Sequence, residues 1–199
     1  MAVCMSTGQI LNIPNILTMA RVALIPVFLL IAYWPPAIGI AAHDGRIVRH
    51  LILTAIFVLA AMTDWLDGYL ARTLNQSSAF GRFLDPVADK LMVAAALIVL
   101  VQWQPTISMA FAAIVIISRE ITVSALREWM AELGARTNVA VSTVGKYKTA
   151  FQMIAISVFL LNWKPLEVWA YALMYTAVIL TLWSMIIYLK AAWPYLKQP

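Results

Sequence analysis

Charged residues are scarce in this chain, and acidic residues are the scarcest. Only 12% of its 199 residues are charged, nine are acidic, and 63% are hydrophobic. Soluble globular domains carry about 25% charged residues, so this composition excludes a soluble protein and predicts an integral membrane protein. The single cysteine, Cys4, excludes an internal disulfide bond and a cysteine-based metal site.

The excess of positive charge does not indicate a nucleic-acid partner. The formal net charge is +5, but the basic residues are spread between apolar runs instead of being gathered in one polar domain. Orientation in the membrane, and contact with anionic lipid or an anionic substrate, explain them better. We therefore expect membrane lipid and no nucleic acid among the partners.

Apolar runs that can cross a bilayer recur along the chain. They predict an all-α integral membrane protein with about six transmembrane helices, at about residues 13–33, 49–72, 83–103, 106–133, 146–162 and 166–192. No linker or convincing repeat interrupts them, so residues 1–199 are predicted to form a single domain. Residues 1–12 lack a basic segment and a cleavage site, and we expect the first span to be retained.

The distribution of Lys and Arg predicts the orientation in the membrane. With the N-terminus in the cytoplasm, ten basic residues lie on the cytoplasmic side and only three, Arg46, Arg49 and Lys164, on the other. Cytoplasmic segments of membrane proteins are enriched in Lys and Arg, so this orientation is favoured. It places a cluster of acidic residues at the cytoplasmic face.

Four of the nine acids lie close together, at positions that predict two facing helix surfaces. Spacings of three, four, seven and eight residues share one face of a helix, and that face carries Asp64, Asp67, Gly68, Ala71 and Arg72. Intervals of four residues place Gly81, Asp85 and Asp89 on one face of the next helix. A polar turn between the helices lets the two carboxylate pairs point at each other.

Such a cluster of carboxylates repels itself unless protons or cations lie between its members. An all-oxygen site suits hard divalent ions such as Mg²⁺ or Mn²⁺, and the lack of a nearby cysteine or histidine argues against zinc. Gly68 and Gly81 leave room for a ligand against the backbone, and Arg72 can donate to a phosphate. We therefore predict a metal-binding nucleotide site in preference to a structural ion pair.

The pattern Asp-x2-Asp-Gly-x2-Ala-Arg-x8-Gly-x3-Asp-x3-Asp over residues 64–89 resembles the signature of the CDP-alcohol phosphotransferases, without a gap or substitution. The resemblance implies six membrane helices around a cytoplasm-facing polar cavity, and a homodimer. The reaction that it implies is attack by an alcohol on the β-phosphorus of a CDP-linked lipid, with CMP as the leaving group.

The resemblance also implies roles for individual residues. Two divalent metal ions, Mg²⁺ or Mn²⁺, would be the cofactors, and their ligands would be Asp64, Asp67, Asp85 and Asp89. Asp89 would also take the proton from the acceptor alcohol. The CDP moiety would contact Gly68, Arg72, Gly81 and Thr18. Thr18 shares a strip of the first helix with Asn15 and Arg21, where Arg21 has a role in the cavity or only reaches the membrane interface.

A second basic region predicts what receives the lipid group. Cations crowd the end of the fourth helix and the start of the fifth, and the predicted acceptor-phosphate site comprises Arg119, Arg127, Lys146 and Lys148. Arg119 follows an apolar run, where a buried cation requires an anion, while the adjacent Glu120 is expected to point elsewhere on the helix. An acceptor that carries a phosphate fits these cations better than neutral inositol or zwitterionic choline.

Longer segments, at 13–21, 83–90, 118–120, 124–134 and 145–149, resemble the members of that family that use glycerol 3-phosphate. The resemblance implies CDP-diacylglycerol and glycerol 3-phosphate as substrates, and a multi-pass protein of the bacterial inner membrane. Two alternatives stay open. One is a sibling enzyme that uses serine or inositol phosphate, and the other is a divalent-cation transporter, which would not need the nucleotide-binding residues.

Overall fold

The computed structural model describes residues 13–34, 44–73, 79–133 and 143–196. These ranges contain six α-helices, namely α1 (Ile13–Tyr33), α2 (Asp44–Thr73), α3 (Ala79–Trp103), α4 (Ile107–Glu132), α5 (Thr143–Leu161) and α6 (Glu167–Leu196). A 3₁₀ turn, Lys164–Leu166, precedes α6. No β-strand occurs within the described ranges, and the predicted all-α class is confirmed.

The ends of the helices agree best with the prediction where apolar runs end. The first helix, predicted at 13–33, is α1 at Ile13–Tyr33. By contrast, α2 begins at Asp44 instead of 49, because Asp44, Gly45 and Arg46 at its start give no apolar signal. The last helix, predicted to end near 192, continues through Pro194 to Leu196, where the proline removes a donor only from the final turns.

In the described ranges, four stretches of helix are long and apolar enough to cross a membrane: Asn15–Tyr33, Gly45–Asp64, Ile107–Glu132 and Lys164–Tyr195. The described part of α5 adds a shorter apolar stretch, Tyr147–Leu161. These helices expose large apolar side chains by more than half, among them Leu30, Met62, Ile114, Ile179 and Trp183. Apolar exposure of this extent suits lipid and not water. The chain is a multi-pass α-helical membrane protein.

The chain divides into two compact units, residues 1–99 and 100–199. In the first unit α1 packs against α2. Phe28 on α1 and Leu53 and Phe57 on α2 are completely buried there. Between membrane helices such side chains stabilise by van der Waals packing, because the surrounding lipid is as apolar as they are. The single domain predicted for residues 1–199 stays a prediction.

In the second unit α6 packs against both α4 and α5. Val123 and Met130 of α4 form a buried apolar cluster with Tyr188 and Ala192 of α6. At the other end of the unit, the Tyr171 hydroxyl donates to Gln104 Oε1 at 3.2 Å. Contacts at both ends therefore fix α6 along its length, and they define which of its polar side chains face the neighbouring helices.

The break between α3 and α4 falls at Gln104 and Pro105. Thr106 is extended, with φ −103° and ψ 147°, and its Oγ1 accepts the Met109 N–H at 3.2 Å. An N-cap of this kind satisfies one of the amides that have no partner within the helix. The start of α4 is thus defined by a side chain as well as by the preceding proline.

Candidate functional site

The predicted aspartate site divides between two helices of the first unit. α2 contains Asp64, Asp67, Gly68 and Arg72, and α3 contains Gly81, Asp85 and Asp89. Among the side chains of these residues, the structure describes those of Asp64 and Asp89, and Asp89 is half-buried. The remaining side chains lie outside the described residues, so the facing of the two carboxylate pairs stays a prediction.

Asp64 is joined to α1 by an ion pair. Arg21 Nη1 donates to Asp64 Oδ1 at 2.7 Å, and the side chains are 1% and 44% exposed respectively. A charge-assisted bond of this length is among the stronger hydrogen bonds in proteins. Of the two roles considered for Arg21, the contact favours the one in the cavity, because the guanidinium is bonded to the first aspartate of the motif and not exposed at the membrane interface.

The strip predicted on the first helix is buried. Asn15, Thr18 and Arg21 lie one after another along α1 and are 2%, 0% and 1% exposed. Buried polar side chains in a membrane helix face protein and not lipid. Thr18, predicted to contact CDP, is therefore on the protein-facing side of α1, and its contact with a nucleotide stays a prediction.

The donor set of the motif fits divalent metal ions. Its four carboxylates offer only hard oxygen atoms, the ligands that Mg²⁺ and Mn²⁺ prefer. Arg21 engages one oxygen of Asp64, and a carboxylate has two. Among the side chains that the structure describes, no group of three or more acidic, histidine or cysteine residues could hold a metal. Asp67 and Asp85 are outside that set.

The second unit contains a buried cation near the middle of a membrane helix. Arg119 is 8% exposed and lies on α4, halfway along the candidate span Ile107–Glu132. Its Nη2 donates to Ser184 Oγ on α6 at 3.0 Å, and its guanidinium carbon lies 5.5 Å from the centre of the Tyr188 ring. The burial of Arg119 agrees with the expectation that it lies in the interior. Its contacts with Ser184 and Tyr188 fix the position of the guanidinium.

Glu120 does not point away from Arg119, and that expectation was wrong. Glu120 Oε1 accepts from Arg119 Nη1 at 3.4 Å and also forms an ion pair with Lys148 Nζ. Adjacent backbone positions diverge on a helix, but three side-chain torsions let a glutamate bend back around it. The result is a three-residue charge cluster, Arg119–Glu120–Lys148, which links α4 to α5.

The other two residues predicted for the acceptor-phosphate site are not in this cluster. Arg127 is exposed on α4, eight residues and therefore about 12 Å along the helix from Arg119. Lys146 lies in α5, but its side chain is outside the described residues. The described part of the structure thus brings together Arg119 and Lys148 of the four predicted cations.

Three buried polar residues that the sequence did not single out lie within about one helical turn of the charge cluster or of a residue bonded to it. Gln152 is 3% exposed and lies one turn after Lys148 on α5, while Thr181 and Ser184 are fully buried on α6. Ser184 Oγ also donates to the Thr181 carbonyl at 2.9 Å. The spacing of four residues from Lys148 could have identified Gln152. Nothing in the sequence around Thr181 and Ser184 would have distinguished them from other small polar residues.

Comparison with known proteins identifies one family. The model of the family described as CDP-alcohol phosphatidyltransferase matches residues 11–183, which is most of the chain. Its match includes both helices of the aspartate motif and the charge cluster on α4 and α5.

Individual relatives are similar over nearly their whole length. A protein of Pseudomonas fluorescens named CDP-diacylglycerol–glycerol-3-phosphate 3-phosphatidyltransferase is 50% identical over 191 residues, covering 94% of this chain and 93% of its own. A Haemophilus influenzae protein of the same name is 51% identical over 182 residues, covering 91% and 93%. A third, from Salmonella typhimurium, is 47% identical over 185 residues, covering 91% and 94%.

Proposed function

The chain belongs to the CDP-alcohol phosphatidyltransferase family, and we propose that it transfers the phosphatidyl group of CDP-diacylglycerol to glycerol 3-phosphate. The products are phosphatidylglycerophosphate and CMP. An acceptor oxygen forms a bond to the β-phosphorus, the bond from that phosphorus to the bridging oxygen breaks, and the bridging oxygen leaves with CMP. Relatives that are about 50% identical over nearly the whole chain have names that specify these two substrates, which supports this choice.

The observation that carries the acceptor assignment is the pair of buried cations on α4 and α5. Arg119 and Lys148 share the carboxylate of Glu120, so the three groups have one net positive charge. Among the described residues, Arg119 Nε has no hydrogen-bond partner. A charge in apolar surroundings is costly unless it is paired. A phosphate on the acceptor would supply negative charge beside the two cations and a hydrogen-bond acceptor for Arg119 Nε.

In this proposal the aspartate motif binds the CDP-lipid with its metal ions. The metal ligands would be Asp64, Asp67, Asp85 and Asp89, and the CDP contacts Gly68, Arg72, Gly81 and Thr18. Two divalent ions bound there would neutralise the pyrophosphate and stabilise the charge of the leaving CMP. Arg21, bonded to Asp64 Oδ1 at 2.7 Å, would keep the first ligand oriented, as outer partners of metal ligands commonly do.

Asp89 is the proposed base. It lies half-buried on α3, two helical turns after Gly81 in the motif. A carboxylate within hydrogen-bond reach of the acceptor hydroxyl can receive its proton while the phosphorus–oxygen bond forms. Its contribution comes mostly from positioning that hydroxyl for attack.

The proposed location is the bacterial inner membrane, with the site facing the cytoplasm. The excess of Lys and Arg in the segments assigned to that side supports this orientation, and water-soluble substrates such as glycerol 3-phosphate are available there. The homodimer implied by the family resemblance is part of the proposal and stays untested.

Purified full-length protein in detergent, given CDP-diacylglycerol and labelled glycerol 3-phosphate, tests the reaction. We expect one CMP released for each labelled lipid formed, and complete loss of both products when the metal is chelated. Absence of CMP release with either Mg²⁺ or Mn²⁺ would contradict the enzymatic reading and favour a cation transporter. Faster reaction with serine or inositol phosphate would overturn the acceptor assignment alone.

A substitution at Lys148 tests the phosphate site. Lys148→Met keeps the unbranched apolar stem but removes the charge, so we expect the KM for glycerol 3-phosphate to rise on the order of tenfold or more. The KM for CDP-diacylglycerol should not change. Lys190→Met makes the same exchange at an exposed position of α6 and should alter neither constant. A loss in kcat with unchanged KM would contradict the role in phosphate binding.

A further inference from the structure

Gln152 places an amide oxygen in the protein interior. Its side chain is 3% exposed, and Oε1 finds no hydrogen-bond donor among the described residues. An unpaired buried polar atom destabilises a protein by about 1 to 3 kcal/mol, which is why almost all such atoms in folded proteins are satisfied. A donor that is not part of the described chain therefore belongs at this position.

The position lies beside the charge cluster. Lys148 and Gln152 are four residues apart on α5 and share the same helix face. On α6, the fully buried Thr181 also has an Oγ1 without a partner among the described residues, and its carbonyl accepts from Ser184 Oγ. Each unpaired oxygen is thus within one helical turn of a residue that is in the charge cluster or bonded to it.

The chemistry of Oε1 defines the missing group. An amide oxygen accepts hydrogen bonds and cannot donate them, so the group must be a donor such as a hydroxyl. A phosphate ester held at Arg119 and Lys148 would carry its hydroxyls a few bonds away. In glycerol 3-phosphate one ester oxygen and two carbons separate phosphorus from the C2 hydroxyl, a span that flexible side chains can bridge across the helical rise of about 6 Å between Lys148 and Gln152.

We propose that Gln152 Oε1 accepts a hydrogen bond from the C2 hydroxyl of glycerol 3-phosphate, the hydroxyl that does not react. This inference rests on the proposed function and adds to it the residue that recognises the carbon chain of the acceptor. The cations select a phosphate, and Gln152 selects an alcohol phosphate with a hydroxyl at its middle carbon. A site built to bind a hydroxyl discriminates strongly against a substrate without it, because the buried acceptor is then left unpaired.

A cycle of changes in both protein and substrate tests the contact. The second acceptor is 3-hydroxypropyl phosphate, which keeps the phosphate and the reacting hydroxyl but lacks the one at C2. We expect wild-type protein to favour glycerol 3-phosphate in kcat/KM by about tenfold or more. In Gln152→Leu that preference should fall to near unity, because the contact is absent with both acceptors. Gln102→Leu, the same exchange at an exposed position of α3, should keep the wild-type preference.

The outcomes separate this inference from the proposed function. If wild-type protein uses both acceptors equally well, Gln152 does not read the C2 hydroxyl, although the reaction itself stands. An unchanged preference in Gln152→Leu would mean that water or another group satisfies Oε1, and would overturn the inference in the same way. A wild-type protein that uses neither acceptor refutes the proposed function and the inference together.

A second variant and a binding measurement test the contact if Gln152→Leu does not fold or does not turn over. Gln152→Met also removes the acceptor oxygen but keeps the length and flexibility of the side chain. For a variant that folds without turning over, equilibrium binding of the two acceptor phosphates gives the same ratio. A tenfold preference retained in that ratio contradicts the contact, and its disappearance supports it.

Discussion

At the scale of single residues, Arg21 and Asp64 form an ion pair whose members differ in exposure. The arginine is 1% exposed and the carboxylate 44%. Arg21→Met removes the charge and the donors while keeping an apolar side chain of similar length. We expect a loss of about 1 to 3 kcal/mol, less than the 3 to 5 found for fully buried pairs, since water reaches Asp64. Thermal unfolding in detergent should show a Tm lower by several degrees.

A double-mutant cycle separates the ion pair from the packing of Arg21. Combining Arg21→Met with Asp64→Asn should destabilise less than the sum of the single changes, because either change alone breaks the same bond. Arg127→Met, the same exchange at an exposed position of α4, should leave Tm nearly unchanged. Strict additivity of the two changes would show that the 2.7 Å contact contributes nothing to stability.

The residues of the site differ in how well the sequence predicts them. The aspartate motif could be identified because its spacing matches the turn of a helix and its charges are rare in an apolar chain. The prediction that Glu120 points away from Arg119 was wrong, because spacing specifies where a Cβ points and not how far a flexible side chain bends back. The sequence does not distinguish Gln152, because a single neutral amide in an apolar run carries no charge that would require a partner.

At the scale of helices, the Thr106 cap defines where α4 begins. Its Oγ1 accepts the Met109 N–H at 3.2 Å, and replacing an N-cap threonine with alanine costs about 0.5 to 2 kcal/mol. We expect Thr106→Ala to lower the Tm in detergent by a few degrees and Thr106→Asp to restore it. Thr122→Ala, at an exposed position of the same helix, is the control. Equal shifts for the two alanine variants would exclude a capping role.

Apolar runs predict only the stretch of each helix that faces lipid or the protein interior. The six runs correspond to the six helices of the described ranges, because in a membrane the backbone must satisfy its own hydrogen bonds. The first turn of α2 and the last turns of α6 lie beyond the apolar runs. Their helical state depends on local backbone hydrogen bonds that hydropathy does not report. The predicted α2 and α6 were therefore too short at these ends.

At the scale of the whole molecule, the orientation in the membrane connects the charges to the proposed function. The aspartate motif ends α2 and begins α3, and the predicted topology places that connection on the side with more Lys and Arg. Glycerol 3-phosphate is too polar to cross the bilayer unaided, so a site on the other side would not meet its acceptor. Sidedness is therefore a condition of the proposed reaction.

Single cysteines can report this sidedness because the chain has only one thiol of its own. In a Cys4→Ser background, Gly45→Cys adds a thiol at the start of α2, where a Cβ meets no atom within 4 Å. Glu132→Cys adds one at the exposed end of α4. In spheroplasts, a membrane-impermeant maleimide should label position 45 directly and position 132 only after the membrane is opened.

The two positions together also test how many helices cross the membrane between them. α2, α3 and α4 separate position 45 from position 132, and an odd number of crossings places the two thiols on opposite sides. Labelling of both from the outside would mean that one of the three helices does not cross. Labelling of position 132 alone would invert the orientation, move the aspartate motif to the outer face, and remove the proposed site from its water-soluble substrate.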